Sequence, residues 1–173
     1  PLRLVGSEMC IRDRNNVQTS DLSTIRSINE ESIPAVNSVS EKEFFWFYQN
    51  SIYFKKALIN ETLVGFLLVL PMNISYQSLN YSWFSERFRD FAYIDRIAVK
   101  EDFKSSGVGV SLYSDLEMSL PKNIKFIACE YNIKPLNQVS KNFHKRMNYE
   151  NVGFQLTENN TKEVSLMIKK IND

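Results

Sequence analysis

A single histidine and two cysteines stand in a chain of 173 residues. That shortage argues against a metal centre built on clustered His and Cys ligands. Two cysteines, Cys10 and Cys129, cannot make the disulfide framework of a small secreted scaffold. Charge of one sign is missing too. The 21 basic and 20 acidic residues leave a formal net charge of +1, without the basic excess of a dedicated nucleic-acid binder. No apolar run approaches the ~18 residues that span a bilayer. There is no internal repeat, no Pro- or Ser-rich linker and no low-complexity tract. Apolar residues, by contrast, make up 43% of the chain and aromatics 13%, enough for one domain with a buried core. The expectation is a cytoplasmic protein, monomer or homodimer, with neither a membrane nor a nucleic acid as partner.

The stretch from Leu4 to Arg14, LVGSEMCIRDR, resembles sequencing-adapter read-through. Residues 1–14 are therefore expected to be a non-native or disordered segment, and 15–173 the domain. The alternative is a first strand around Cys10 to Arg14. Beyond it, Thr19-Ser20-Asp21 offers helix caps ahead of Leu22, Ile25, Ile28 and Ile33 at near-helical spacing, and Pro34 stops the run. Ser40 with Glu43 three residues on forms a capping box before the aromatic Phe44–Tyr48 helix. Tyr53–Ile59 and Thr62–Leu70 read as strands of a hairpin turning at Asn60-Glu61. Pro71 to Asp90 is a long connection rich in aromatics, a length that is usually functional or partly helical.

The second half alternates regularly. Phe91–Val99 reads as a strand, Gly107–Leu120 as a helix, and Ile124–Glu130 as a central, mostly apolar strand. Asn137–Met147 follows as a helix, Tyr149–Leu156 as an edge strand, and Glu163–Lys170 as the last strand. The order ααββ-βαβαββ implies an α/β domain with a mixed sheet and at least one parallel pairing by a right-handed crossover.

The most informative stretch runs from Asp95 to Gly109. A strand enters a short turn with two glycines and a helix starts at once, so unpaired N–H groups point outward along the helix dipole. Such a turn can hold a pyrophosphate. Gly107 and Gly109 leave room for the backbone to approach it. The three glycines of a dinucleotide fingerprint and the Gly-Lys-Ser/Thr of a P-loop are both absent.

Lys104-Ser105-Ser106-Gly107-Val108-Gly109 resembles the central motif of the GNAT superfamily of acyl-CoA-dependent N-acyltransferases. A second family motif is similar to Asn137, Ser140, Phe143, His144, Asn148 and Tyr149. The chain departs from the pattern at Ser105-Ser106, at His144 for Tyr, at Asn148 for Gly and at Tyr149 for Phe. The order of elements agrees from Thr19 to Ile171. Phrases such as Trp83–Arg87, Tyr93–Arg96 and Cys129–Asn132 resemble a bacterial branch of predicted acetyltransferases.

The resemblance implies a centrally splayed sheet, with acetyl-CoA as donor lying between the strands that end at Val99 and Glu130, and no metal. It implies that Ile97, Ala98 and Val99 hold the pantetheine, and that Lys104, Ser105, Ser106, Gly107, Val108 and Gly109 hold the pyrophosphate. Asn137 would cap its helix and touch the pantetheine. Acyl transfer to an amine needs a base, charge stabilisation and a proton for the leaving thiolate. Glu130 or Asp95 is the candidate base and His144 the candidate acid. Tyr81, Trp83 and Tyr93 are candidate contacts for the acceptor, a small-molecule or peptide amine. A CoA-binding module without turnover is the alternative function.

Overall fold

The computed structural model describes residues 13–173. Among these residues seven strands form one sheet in the order β1-β2-β3-β4-β5-β7-β6. They are β1 (Asp13–Asn16), β2 (Tyr53–Ile59), β3 (Thr62–Pro71), β4 (Phe91–Val99), β5 (Phe126–Lys134), β6 (Glu150–Thr157) and β7 (Lys162–Lys170). Five α-helices cover it: α1 (Leu22–Glu31), α2 (Glu41–Asn50), α3 (Leu79–Arg87), α4 (Val108–Ser119) and α5 (Gln138–Arg146). All neighbouring strands are antiparallel except β4 and β5, the pair joined by α4.

This is the expected mixed sheet with two additions. A short β1 pairs with β2 at the sheet edge, Asp13 opposite Leu58, so Asp13 and Arg14 of the segment set aside as 1–14 belong to the sheet; residues 1–12 lie outside the described part. The second addition is α3, within the long connection between β3 and β4. Ser78 caps it by accepting a hydrogen bond from the Tyr81 N–H at 3.3 Å, a start that the scattered aromatics hid.

Elsewhere local chemistry sets the elements as anticipated. Ser40 and Glu43 exchange hydrogen bonds at the head of α2, Glu43 N–H to Ser40 Oγ at 3.2 Å and Ser40 N–H to the Glu43 carboxylate at 2.9 Å. Asn60 and Glu61 both take positive φ (47° and 63°), as a tight hairpin between right-twisted strands requires. Helix α1 ends at Glu31, so Ile33 falls outside its apolar stripe and is 45% exposed.

The apolar residues divide into two clusters, one on each face of the sheet. Ile25, Ile28, Phe44, Phe47, Tyr81 and Phe84 from α1, α2 and α3 pack on one face. Val108, Leu112, Tyr113 and Leu116 of α4 pack on the other, with Phe143 and Met147 beside them. Strand β3 is buried from Val64 to Leu70 because it is covered on both sides. Burial on that scale, at about 25 cal/mol per Å² of apolar surface, is the main stabilising contribution.

Candidate active site

Strands β4 and β5 are paired only at Phe91–Phe126, Ala92–Ile127 and Tyr93–Ala128. Beyond that point β4 continues to Val99 and β5 to Lys134 with no ladder between them. The sheet therefore opens at its centre and leaves strand-edge N–H and C=O groups facing the gap, which an extended ligand can pair with.

A bulge in β4 sharpens the opening. Leu68 of β3 pairs with Arg96 and Val69 with Ile94, so Asp95 is the extra residue. Phe91 and Tyr93 face the α1–α3 side; after the bulge Ala98 returns to that side while Ile97 and Val99 turn toward α4. Asp95 and Arg96 consequently reach each other, Nε to Oδ2 at 2.7 Å.

Glu130 is the first β5 side chain on the α1–α3 face past the last paired rung. Tyr93 Oη lies 2.8 and 2.9 Å from its two carboxylate oxygens, and Asn80 of α3 adds a side-chain hydrogen bond. Removal from water pushes its pKa up to about 7, helped by the charge of Asp95 and opposed by the hydrogen bonds from Tyr93 and Asn80 and the charge of Arg96. A carboxylate poised near neutrality beside a gap in the sheet can accept a proton from an amine. Burial raises the Tyr93 phenol well above its ordinary value, so it stays a hydrogen-bond donor.

Asp95 has different surroundings. One oxygen takes the Tyr76 hydroxyl at 2.5 Å and the other takes Arg96, and both partners of that ion pair are 4% exposed at the side chain. Arg96 also donates to Asn29 Oδ1 at 3.1 Å, Asn37 O at 3.3 Å and Asn37 Oδ1 at 3.1 Å. The pair thus ties α1 and the α1–α2 connection to the bulged strand. Both Asp95 oxygens are thus engaged in an ion-pair network inside the fold, beside its place as the second candidate base.

His144, the candidate acid, is likewise engaged by neighbours inside the fold. It is 4% exposed on α5. Its Nδ1 lies 2.8 Å from the Ser140 carbonyl oxygen, which can only accept, so the proton sits on Nδ1. Nε2 then accepts from Tyr113 Oη at 3.0 Å. Burial holds its pKa below the ordinary histidine value. A neutral ring with both nitrogens engaged inside the protein is a packing element between α4 and α5. Tyr131 of β5 stacks on it, rings 5.9 Å apart and 15° from parallel, and is partly exposed.

The turn before α4 has the anticipated form. Gly107 is the N-cap with φ 86°, and a Cβ built there would meet nothing within 4 Å. No side chain caps the helix. Its first intrahelical bond is from Ser111 N–H to Gly107 O, so the N–H groups of Val108, Gly109 and Val110 point out of the helix end without helical partners. Ser105 is also left-handed, φ 63°. The Lys104 side chain pairs with Glu101 at 2.5 Å and the Ser106 hydroxyl donates to Phe103 O, so the cradle is made by backbone. Gly109 packs against Phe143 of α5, where a Cβ would come within 3.3 Å. Asn137 caps α5, accepting from Ser140 N–H at 3.0 Å.

The three candidate acceptor contacts separate. Tyr81 is buried, donating to Pro71 O at 2.8 Å and accepting from Ile74 N–H at 3.2 Å; it is a core support. Tyr93, 1% exposed, acts on Glu130. Trp83 alone of the three lines an open groove, about 610 Å³, between α3 and β6. Tyr76, Asn80 and Tyr131 join the site although the sequence reading singled out none of them for a role there.

A split mixed sheet with an uncapped helix start at one side of the gap and a raised-pKa carboxylate on the other defines an acyltransferase-like fold. Residues 22–149 match the acetyltransferase (GNAT) family, and the chain belongs to that family of acetyltransferases. No curated protein matches the sequence. Among solved structures, the ribosomal-protein-S18-alanine N-acetyltransferase from Escherichia coli is similar with a TM-score of 0.73 at 16% identity, over 93% of this chain and 94% of that one. Ard1 from Thermoplasma volcanium has a TM-score of 0.73 at 14% identity, covering 93% and 98%. NAA60 from Arabidopsis thaliana, in complex with a bisubstrate analogue, has a TM-score of 0.73 at 17% identity, covering 92% and 98%. At these identities the likeness speaks to the fold. No helix among the described residues is long and apolar enough to cross a membrane.

Proposed function

We propose that the protein transfers an acetyl group from acetyl-CoA to a primary amine by direct attack within a ternary complex. The observation that carries this reading is the position of Glu130, ionisable near pH 7, two residues past the last β4–β5 rung. Acetyl-CoA supplies a thioester that an amine can attack without a covalent enzyme intermediate, so the work of the protein is to position and to move protons.

The edge of β4 from Ile97 to Val99 offers backbone partners for the pantetheine. The N–H groups of Val108, Gly109 and Val110, with the open space over Gly107, suit the pyrophosphate. Asn137 holds the head of α5 and so the α5 side of the gap. Glu130 takes the proton from the incoming ammonium, its carboxylate held by Tyr93 and Asn80. We assign to Tyr131 the proton that the departing thiolate needs, with His144 as the buried support on which its ring stacks. Trp83 would meet the acceptor.

The test is thiol release from acetyl-CoA with purified protein and a panel of primary amines. Release that depends on both substrates supports the reading. Tight CoA binding with no release across the panel would make the protein a CoA-binding module instead.

A further inference from the structure

The groove between α3 and β6 sets exposed apolar side chains among the polar Ser82, Glu86, Arg87, Gln155 and Glu163. Leu79 is 63% exposed, Phe154 60% and Leu156 50%, and Trp83 stands among them. Its volume, about 610 Å³, falls in the range of roughly 300–1,000 Å³ that small-ligand sites occupy.

Two features connect the groove to the base. Gln155, in its lining, donates to Asn80 Oδ1 at 3.4 Å. That contact turns the amide nitrogen of Asn80 toward Glu130, to which it is hydrogen-bonded. Register makes the second link. Glu130 pairs with Leu166, and Leu166 with Gly153, so the three share one rung across β5, β7 and β6. Trp83 packs on Gly153 so closely that a Cβ there would lie 2.7 Å from the indole. With strands roughly 4.8 Å apart, Trp83 stands about 10 Å from Glu130.

Charge narrows the occupant. The lining holds two carboxylates, Glu86 and Glu163, against one guanidinium, Arg87, so it does not repel a cation. Yet Glu86 is already bonded to Arg87 and Glu163 to Lys134, each at 2.9 Å, and Arg87 stacks 4.4 Å over the Trp83 ring. No lining charge lacks a partner among the described residues, which disfavours a polyamine. What the groove offers an apolar group is Leu79, Phe154, Leu156 and the part of the indole that Arg87 leaves open.

We propose that this groove takes the apolar or aromatic arm of an extended primary amine, with that arm about 10 Å from the nitrogen at two strand spacings. The assignment rests on Glu130 being the base that receives the amine. The arm gains by burying its surface against Trp83, and the acceptor's length, more than its charge, sets specificity.

The experiment is a ruler: benzylamine, phenylbutylamine and phenylhexylamine, with spermidine as the polycationic control. Affinity is measured by calorimetry on the intact chain and turnover by thiol release. Affinity should rise at least ~10-fold from the shortest to the longest amine, the equivalent of about 1.4 kcal/mol. Trp83→Ala should erase most of that gain through KM with kcat retained. Leu156→Glu, at a position 50% exposed on the edge strand β6, should do the same.

A flat length series, tighter binding of spermidine than of phenylhexylamine, or an undiminished gain in both variants overturns the proposal. A length series in binding with no thiol release would uphold the groove and remove Glu130 from its role, so the two failures differ.

Discussion

Glu130→Gln should abolish most activity while making the protein more stable above neutral pH. The carboxyl titrates near 7 in the fold against an ordinary value of 4.5. Because the folded value is raised, the native state holds the proton more tightly than the unfolded chain does. The associated stability is complete below about pH 4.5 and is lost as pH climbs through 7. A displacement of that size corresponds to about 3 kcal/mol at pH 8, using 1.36 kcal/mol per pKa unit. Solvent reaching the partly exposed residue lowers the figure.

Glutamine keeps the shape and the Tyr93 contact but never ionises. At about 2–4 °C per kcal/mol for a domain of this size, the variant should melt several degrees higher at pH 8 and together with the wild type near pH 4.5. The wild-type rate should rise with pH through about 7, because the ionised form is the base. Loss of the base should cost on the order of 10²–10⁴ in kcat. The assays are thiol release over pH and thermal melts at both pH values. Melting curves that stay superimposed at pH 8, or a variant as fast as the wild type, would refute the reasoning.

Asp95→Ala should leave the Arg96 guanidinium buried and unpaired, costing about 3–5 kcal/mol in urea unfolding; a loss below ~1 kcal/mol would mean the ion pair is not the clamp described. His144→Gln should keep turnover within ~10-fold, below what loss of a general acid costs. It should also flatten the fall of stability below about pH 6.5, since the wild-type ring, its pKa lowered by burial, must take up a proton on unfolding. Tyr131→Phe should instead lower kcat by at least ~10²-fold with little change in melting temperature if it delivers the proton; unchanged turnover would leave that step to solvent. Gly107→Ala should cost about 1–2 kcal/mol, because φ of 86° is left-handed. It should raise KM for acetyl-CoA more than it lowers kcat, as the open space over the turn fills.

What could be read from residues alone was what depends on neighbours in sequence. The Ser40–Glu43 box, the Asn60-Glu61 turn and the glycine at the head of α4 are local chemistry, and each appears where its residues put it. Glu130 was legible because a lone carboxylate ended an apolar strand. The surroundings of Asp95 and His144 depend instead on register and on partners distant in sequence. Asp95 sits on the sheet's one bulge between β3 and β4, and only that extra residue brings its side chain onto the same face as Arg96, where the ion pair forms. Alternation without the bulge would have sent the two to opposite faces. His144 has the right spacing on α5, but which way its ring nitrogens point is decided by Tyr113, 31 residues earlier on another helix.

The same dependence explains why Asn80 was invisible. It acquires a role because α3 folds over β5 and β6 together, joining Glu130 on one side to Gln155 on the other. The Glu130 carboxyl is therefore tuned from both directions. Asp95 is fixed by Arg96 on the α1–α2 side and raises its pKa, while Tyr93 and Asn80 lower it. Desolvation prevails over the hydrogen bonds, and the balance lands near 7. A carboxylate with either hydrogen bond removed would titrate higher and spend more of its time protonated at neutral pH. Ionisation of Glu130 near neutrality is thus a property of the packing of α3 against the opened sheet, not of the glutamate alone.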